Sequence, residues 1–555
     1  MKLFTTSILL FIFLVEGFST TVGPWNLDSL FEVPQWETTD ISAVAGMTSI
    51  FYKSIEYKGK TVDVYAYYSA PTGEAPEGGW PALVHVHGGG GTAYPEWVKA
   101  WNAHGYACIS MDLEGHCPEK DELGNRIPTP NPGPSRVGVF DDWTLPFDEQ
   151  WYYHAVAQII KANSLLRSFP EINPDKIGIS GASWGGTLTS TVMGVDTRFC
   201  FAIPVYGSGY LAGSDGYQGT VLPLGSAKTN FVNANYDGSA YFNNVTCPTL
   251  WFNGTNDAHF DLTCTQRSAL GVQSPATLRY TLEMPHSNLA ILFYAEPYAF
   301  ADQVTKSGIP LIVIRKPQMS KGVGYVNFFA KNNIKRAEIF YTLDDGSWIE
   351  RVWQRASANI SDTTIFAAIP TNATTIFFTA TDERGLMVSS EYLIIEKIPA
   401  YGIEISMDSV SLIVGDTILL SATVLPTNAT IQNVSWSSSN NMIAGVDNNG
   451  LVRTQDTGLV TISVKTEDGG YTDKIVISVS ALTRVNQYLI NTYTQTVSAC
   501  KGAEVEIYNV TGKLLNKYVL VDNEHELEMN GFSSGIYIVR ITTKGTSFTQ
   551  KLYKQ

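Results

Sequence analysis

Between about residues 50 and 300, short apolar runs alternate with stretches in which apolar residues recur at helical spacing. The runs PALVHVH, YACISMD, KIGISGAS, FCFAIPVYG, CPTLWFNG and TLRYTLEM predict buried strands. The segments DEQWYYHAVAQIIKANSLLRSF, which ends before Pro170, and NLAILFYAEPYAFADQV predict helices. This alternation predicts a mostly parallel sheet with helices on both faces, and in such sheets ligands bind at the carboxyl ends of the strands.

After Gly308 the pattern changes to short alternating strands and polar turns without a convincing helix. The segments IPLIVIRKP, RAEIFYTLDDGSWIERVW, TTIFAAIP and TTIFFTATDERG predict a small β-sandwich over residues 306–398, which resembles immunoglobulin or fibronectin type domains. Residues 401–481 predict a second all-β unit. It resembles the bacterial Ig-like group 2 module through Gly415, the strand before Pro426, a tryptophan followed by serines, and VDNNGLV.

The last predicted unit, residues 484–555, contains VEIYNVTGK, GIYIVRI and a basic end with Lys551 and Lys554. These features resemble the C-terminal sorting domain of the type IX secretion system. The resemblance implies that the secretion machinery is a partner, and that the protein is released or attached at the cell surface after export.

The N-terminus has the layout of a secretory signal peptide, predicted as residues 1–21. One lysine precedes an apolar run from Ile8 to Val15, and small residues follow at Gly17 and Ser19. The run is too short to span a bilayer, and no later stretch approaches twenty uninterrupted apolar residues. We therefore expect no transmembrane segment after removal of the signal.

Length and charge narrow the class of protein further. A chain of 555 residues predicts three or four domains. The net charge of −15 is spread along the chain without a basic run, which argues against nucleic acid as a partner. Six cysteines without a C-x-x-C pair permit disulfides in an exported protein and do not predict a zinc site. A pairing of Cys247 with Cys264 stays open.

The stretch KIGISGASWGG contains the pattern G-x-S-x-G at Gly181, Ser183 and Gly185. This pattern is typical of a nucleophile elbow, a strained turn from strand to helix that exposes the serine hydroxyl. A serine hydroxyl needs a base to remove its proton, and the base needs an acid to hold its tautomer. The order serine, aspartate, histidine is met by Asp257 in FNGTND and His286 in LEMPHSN, each directly after a predicted strand.

Two other residues compete for these roles. His259 is a weaker candidate for the base because one short loop would have to present both it and Asp257. Asp261 competes for the acid, although we expect it to cap the helix that begins near Leu262. His85 lies within a strand and is most simply a core histidine with satisfied hydrogen bonds.

Backbone N–H groups that stabilise a developing oxyanion are predicted at two places. One is Trp184, directly after the nucleophile, and the other is Gly88, Gly89 or Gly90 in HVHGGGG, among which the sequence does not choose. A phosphate-binding loop is the alternative for this glycine run, but the Lys-Ser/Thr that should follow is missing.

The motifs HGGGG, GASWGG, NGTND and PHS together resemble an α/β-hydrolase over about residues 60 to 300, within a domain assigned to residues 22–305. The similarity is to acetyl xylan esterases, dienelactone hydrolases and prolyl oligopeptidase catalytic domains. It implies a nucleophile, acid and base at Ser183, Asp257 and His286. Dienelactone hydrolases commonly carry cysteine at the elbow, and no β-propeller fits before the domain, which weakens the peptidase reading.

The long excursion between Gly207 and Asn244 predicts a cap or binding loop, and its tyrosines are candidates for stacking on sugar rings. The predicted substrate contacts are Trp97, Trp143 and Tyr210. The bulk of Trp184 beside the nucleophile favours small acyl groups such as acetyl.

The interpretation is a multidomain secreted serine esterase, with an α/β-hydrolase followed by three β-sandwich modules, that acts on acylated carbohydrate or small esters. No metal or organic cofactor is implied. The alternatives are a serine peptidase of prolyl oligopeptidase type and a non-catalytic surface adhesin on a hydrolase scaffold.

Overall fold

The computed structural model describes residues 20–481, 488–491, 496–499, 501–522, 524–543 and 546–554. The chain forms two compact units, Met1–Glu396 and Lys397–Gln555. Residues 1–19 of the predicted signal peptide lie outside the described residues. No helix in the described part of the chain combines the length and apolar character that a bilayer crossing needs.

The first unit begins with the strands of an α/β domain. They are β1 (Thr21–Val22), β2 (Trp25–Asn26), β3 (Trp36–Thr38), β4 (Thr48–Tyr57), β5 (Lys60–Ser69), β6 (Trp80–Val86), β7 (Ala107–Met111), β8 (His116–Lys120), β9 (Arg126–Pro128), β10 (Ile172–Ala182), β11 (Ala202–Val205), β12 (Thr249–Gly254) and β13 (Ala276–Thr281). The helices are α1 (Leu27–Phe31), α2 (Pro95–Ala103), α3 (Trp151–Leu166), α4 (Trp184–Val195), α5 (Tyr217–Val221), α6 (Ala227–Asn235), α7 (Leu262–Gly271) and α8 (Glu296–Thr305).

The order of the central strands is β7, β6, β10, β11, β12, β13, and all five pairs are parallel. Most residues of these strands are buried, and α3 and α4 are buried along almost their whole length. Such near-continuous apolar strands are expected when helices cover both faces of a parallel sheet. The strand predictions in this region are therefore confirmed, and the carboxyl ends of β6, β10, β12 and β13 meet at one edge.

The predicted closing helix is divided in the structure. A 3-10 turn covers Ala290–Phe293, Tyr294 is extended at φ −107° and ψ 138°, and α8 begins at Glu296. Pro297 occupies the start of α8, where the missing N–H removes no helical hydrogen bond. One continuous helix through this proline would require that donor.

Strands continue in the same unit after α8. They are β14 (Val313–Ile314), β15 (Gln318–Ser320), β16 (Val323–Phe329), β17 (Ile334–Thr342), β18 (Trp353–Ser357), β19 (Asn359–Ser361), β20 (Thr364–Ala368), β21 (Thr375–Asp382), β22 (Met387–Ser389) and β23 (Leu393–Ile394). The strand β22 pairs with β13 through Ser389 and Leu278, which joins β17, β18, β21 and β22 to the central parallel strands in one 14-stranded sheet. The boundary drawn between residues 305 and 306 thus falls inside one compact unit.

The second unit consists of strands in the residues that the structure describes. They are β24 (Gly402–Ile405), β25 (Ser409–Ile413), β26 (Thr417–Leu419), β27 (Ala422–Leu425), β28 (Val434–Ser438), β29 (Ala444–Val446), β30 (Leu451–Thr454), β31 (Gly458–Thr466), β32 (Thr472–Ser480), β33 (Tyr488–Asn491), β34 (Thr496–Ala499), β35 (Glu504–Asn509), β36 (Leu514–Val519), β37 (Glu524–Glu526), β38 (Gly535–Thr543) and β39 (Thr546–Lys554). Separate apolar clusters lie before and after residue 481, as expected for two small β-modules.

Candidate active site

Ser183 lies in the turn between β10 and α4 with φ 58° and ψ −120°. A non-glycine residue in this region is strained and persists only where its surroundings impose it. The flanking glycines allow the turn to pack against β6: a Cβ on Gly185 would lie 2.1 Å from the carbonyl oxygen of Val86, and one on Gly181 would lie 2.4 Å from that of Gly185. The elbow therefore requires glycine at both positions.

The structure brings the three predicted reactive side chains together. The distance from His286 Nε2 to Ser183 Oγ is 2.8 Å, and the distance from His286 Nδ1 to Asp257 Oδ2 is 2.6 Å. The Asp257 carboxylate is buried and the His286 side chain is 25% exposed. This arrangement links a hydroxyl, an imidazole and a carboxylate in the order that nucleophilic catalysis by serine requires.

The Asp257 carboxylate is held on both oxygens. Its Oδ1 accepts the backbone N–H groups of His259 and Phe260, each at 2.8 Å, while Oδ2 faces His286. These backbone bonds fix the carboxylate in a buried loop directly after β12.

His259 lies beside the proposed base, with its ring centroid 4.6 Å from that of His286. Its only direct bond to Asp257 in the described structure is made by its backbone N–H. Burial lowers the pKa of His259, and the neighbouring His286 lowers it further against the opposing effect of Asp257. The protonated form of His259 is therefore disfavoured beside His286.

In the glycine loop after β6, some backbone N–H groups donate hydrogen bonds and others are free. Gly88 donates to Asn288 Oδ1 at 2.8 Å, and Gly90 donates to Glu114 Oε1 at 3.3 Å. Among the described residues, no hydrogen bond occupies the N–H of Gly89 or that of Trp184. Of the three glycines left open by the sequence, only Gly89 has a free donor.

Asn288 is a residue that sequence reasoning missed. Its side-chain oxygen accepts the N–H of Gly88, and its backbone carbonyl accepts the indole N–H of Trp97 at 3.0 Å. Its position two residues after His286 was the available signal. It joins the loop that carries the imidazole to the glycine loop.

Ser183 and His286 line a cleft of about 620 Å³, while Asp257 lies buried behind them. Trp184 forms one wall, packed edge-on against Phe140 and Trp151 with ring centroids 5.1 and 5.6 Å away. Arg136 lies over the same wall, its guanidinium 5.7 Å from the Trp184 ring, and its Nε donates to Glu114 at 3.0 Å. The cleft combines a bulky apolar wall with polar groups near the serine.

The predicted substrate contacts are placed elsewhere in the first unit. Trp97 is only 2% exposed and stacks on the ring of His85 at 3.7 Å. Trp143 packs against Phe231, and Tyr210 lies under the guanidinium of Arg267. None of the three lines the cleft.

The excursion between strands β11 and β12 instead contributes Tyr217 and Gln218 to the cleft. Tyr217 is 50% exposed and its ring meets His259 edge-on at 5.7 Å. The sequence indicated the excursion but not which of its tyrosines faces the cleft.

Four further residues considered in the sequence do not line the cleft. Asp261 caps α7 by accepting the N–H of Cys264 at 3.0 Å, as predicted. His85 is fully buried, as expected for a core histidine. Neither of its ring nitrogens has a hydrogen-bond partner in the described structure, so the prediction that its hydrogen bonds are satisfied was wrong. Cys247 and Cys264 are both free thiols.

Three family models match separate parts of the chain. Residues 36–212 match Acetyl xylan esterase (AXE1), and 399–476 match Bacterial Ig-like domain (group 2). Residues 36–212 of the first unit therefore resemble the acetyl xylan esterases. Residues 486–555 match Secretion system C-terminal sorting domain, which indicates export through type IX secretion and release or surface attachment.

Curated relatives and solved structures cover parts of the chain. A kappa-carrageenase of Pseudoalteromonas carrageenovora is 42% identical over 66 residues, 12% of this chain and 17% of the relative. An uncharacterized protein of Clostridium acetobutylicum is 34% identical over 109 residues, 20% of this chain and 26% of the relative. The chain therefore spans about a quarter or less of these relatives' length.

Among solved structures, an acetyl xylan esterase from Paenibacillus sp. R4 is 18% identical with a TM-score of 0.38, covering 47% of this chain and 87% of that chain. Acetyl xylan esterase 1 from Thermoanaerobacterium sp. is 16% identical with a TM-score of 0.37, covering 48% and 92%.

Proposed function

We propose that the protein is a secreted serine esterase that removes acyl groups, foremost acetyl, from plant polysaccharide. The observation that carries this proposal is the imidazole of His286, which lies within hydrogen-bond distance of both Ser183 Oγ and Asp257 Oδ2. The acetyl xylan esterase match over residues 36–212 supports the choice of ester and carbohydrate.

In the proposed acylation, His286 Nε2 takes the proton of Ser183 as Oγ attacks the ester carbonyl carbon. Asp257 holds the imidazole in the tautomer with the proton on Nδ1 and stabilises the imidazolium that forms. When the tetrahedral intermediate collapses, Nε2 returns the proton to the leaving sugar oxygen. The products of this step are the free hydroxyl of the sugar and an acyl ester on Ser183.

In deacylation, water gives a proton to His286 Nε2 and attacks the acyl carbonyl carbon. Collapse breaks the bond to Ser183 Oγ, which recovers its proton from the imidazolium. The carboxylic acid leaves and the enzyme returns to its starting state.

The oxyanion of both steps is assigned to the N–H groups of Trp184 and Gly89. Their freedom from hydrogen bonds among the described residues supports this assignment, because a donor already bonded elsewhere stabilises a developing charge less well. The bulk of Trp184 at the cleft wall supports a preference for small acyl groups.

The test is a substrate screen with the purified full chain. We expect acetate release from acetylated xylan, less ferulate from feruloylated xylan and no cleavage of a peptide library. Cleavage of peptides without ester hydrolysis would establish the peptidase alternative. Failure of a fluorophosphonate probe to label Ser183 would favour the adhesin.

Two substitutions separate the proposed roles. Ser183→Ala should abolish both labelling and turnover. Asp257→Asn should lower kcat by about 10³- to 10⁴-fold because the imidazole tautomer is lost. Asp196→Asn is the matched control, since it changes another buried carboxylate that bonds Arg198 and Asn163. It should keep most of the activity.

A further inference from the structure

A turn within residues 306–398, here called the β-sandwich segment, contacts the loop that carries Asp257. This clamp turn, residues 347–351, contains the 3-10 turn Trp348–Glu350 between β17 and β18. The side-chain amide of Asn256 donates from Nδ2 to the carbonyl oxygens of Ile349 at 3.0 Å and Arg351 at 2.7 Å. Asn256 directly precedes the proposed catalytic acid.

The same amide connects onward to the loop that carries His286. Thr255 Oγ1 donates to Asn256 Oδ1 at 2.7 Å, and the N–H of Glu283 donates to Thr255 Oγ1 at 3.2 Å. Thr255 is fully buried, which strengthens these bonds relative to exposed ones. A chain of side-chain bonds therefore runs from the clamp turn to both loops that present the acid and the base.

The clamp turn also contacts the segment that supplies Tyr217 to the cleft. The N–H of Trp348 donates to Asp215 Oδ2 at 2.6 Å. Asp215 lies two residues before Tyr217, which lines the cleft beside His259.

The clamp turn is itself held in place. Trp348 is 7% exposed, and the guanidinium of Arg351 lies 3.9 Å from its ring centroid. Arg351 also donates from Nη1 to Thr375 Oγ1 at 3.1 Å and from Nε to the Gly346 carbonyl at 3.0 Å. Thr375 begins β21, a strand of the sheet that continues into the hydrolase strands.

We infer that the β-sandwich segment contributes to catalysis. Its clamp turn positions Asp257 through Asn256, and it positions the Tyr217 side of the cleft through Asp215. Asn256 and Asp215 are positioning residues, since neither lines the cleft. The inference rests on the proposed function of the site. It gives a catalytic role to a segment for which the sequence predicted only a β-sandwich fold.

The first test replaces Asn256 in the full chain. Asn256→Ala removes the donors to the clamp turn, and Asn256→Asp keeps the shape but sets a carboxylate against two carbonyl oxygens. We expect both to lower kcat for p-nitrophenyl acetate by about 10- to 100-fold, with KM changed less than about twofold, because only the orientation of the reacting groups is disturbed. The kcat of Asn256→Asp should be no higher than that of Asn256→Ala.

Gln266→Ala is the matched control. Gln266 also joins the hydrolase to the β-sandwich segment, accepting the N–H of Tyr392 at 2.6 Å and donating to its carbonyl at 3.3 Å. It lies on α7, and its side chain bonds Tyr392 and Tyr280 instead of the acid loop. We expect Gln266→Ala to lower the unfolding midpoint while kcat stays within about twofold of wild type.

Asp215 provides a second, independent arm. Asp215→Ala should raise KM for a polymeric substrate by about three- to tenfold with little change in kcat, because the cleft wall loses its anchor. Asp215→Asn retains an oxygen acceptor for the Trp348 N–H and should restore KM. If Asn256→Ala does not fold, this pair carries the test.

Wild-type kcat in folded Asn256→Ala and Asn256→Asp would overturn the inference, and so would an equal kcat loss in Gln266→Ala. An unchanged KM in Asp215→Ala would overturn the inferred role of Asp215 in positioning the cleft. The rate of Ser183 labelling by a fluorophosphonate, followed by mass spectrometry, should fall in the Asn256 variants as well. This readout needs no natural substrate, so a wild type that labels but does not deacetylate xylan would count against the proposed substrate and not against the clamp.

Discussion

The N–H of Gly88 donates to the side-chain oxygen of Asn288 at 2.8 Å. This bond crosses from the loop after β6 to the loop after β13, and the residue two positions before Asn288 is the proposed base. It removes Gly88 from the set of available oxyanion donors and leaves the next N–H, that of Gly89, free among the described residues. In the proposed mechanism, the oxyanion donor is therefore selected by a side chain 200 residues away along the chain.

Asn288→Ala should lower kcat by about tenfold with a nearly unchanged KM, because the glycine loop loses its tie to the His286 loop. Initial rates with p-nitrophenyl acetate measure both constants. Tyr94→Phe is the control, since it removes the hydroxyl that Asn288 Nδ2 donates to at 3.3 Å and leaves the Gly88 bond intact. Equal losses in the two variants would contradict the role of the Gly88 bond.

Gly89→Ala should lower kcat by about 10²- to 10³-fold, the size expected when one oxyanion donor is displaced. A Cβ at this position would lie 2.6 Å from Trp184 Cδ1, so either the loop or the indole must move. Steady-state kinetics on acetylated substrates provide the measurement. Gly133→Ala, whose Cβ would meet its neighbours only at 3.4 Å or more, should keep its activity. Full activity in Gly89→Ala would exclude Gly89 as a donor.

Trp184→Ala should broaden acyl specificity, because the indole fills one wall of the cleft while the backbone N–H remains. We expect the ratio of kcat/KM for p-nitrophenyl butyrate to that for the acetate to rise on the order of tenfold. Trp151→Phe is the control, because Trp151 packs on Trp184 without lining the cleft. An unchanged ratio in Trp184→Ala would show that the indole does not limit chain length.

Acid should destabilise the first unit through its buried histidines. Burial lowers the pKa of His85 well below its ordinary value of 6.5, and burial also lowers that of His154. Below about pH 6.5 the unfolded chain binds protons that the folded chain does not. The contribution of these histidines to the free energy of unfolding is therefore fully present above about pH 6.5 and falls as the pH drops below that value. Urea unfolding midpoints between about pH 5 and 7.5 test this slope, and His85→Phe should make it shallower. Parallel slopes in the two proteins would contradict the prediction.

Much of the hydrolase core was predictable from local pattern. Buried parallel strands are near-continuous apolar runs, and the elbow needs glycines wherever a Cβ would strike the neighbouring strand, as at Gly185. The order of Ser183, Asp257 and His286 could be derived because each residue follows a strand whose carboxyl end meets the others at one sheet edge.

The aromatic contacts were not predictable in the same way. Trp97 was a predicted substrate contact and Tyr217 was not singled out, yet Trp97 is buried against His85 and Tyr217 is exposed at the cleft. Burial depends on what packs against a residue from distant segments, and residue type does not report it.

The sequence by itself determined the strand and helix pattern, the elbow and the order of the reactive residues, because those depend on interactions between neighbours in the chain and on the topology of parallel sheets. Only the tertiary structure decided which glycine N–H is free, which aromatic side chains face the cleft, and that β22 joins the sandwich segment to the hydrolase sheet. Each of these depends on a contact such as that between Leu278 and Ser389, where residues far apart in the chain meet in space and no local pattern encodes the pairing.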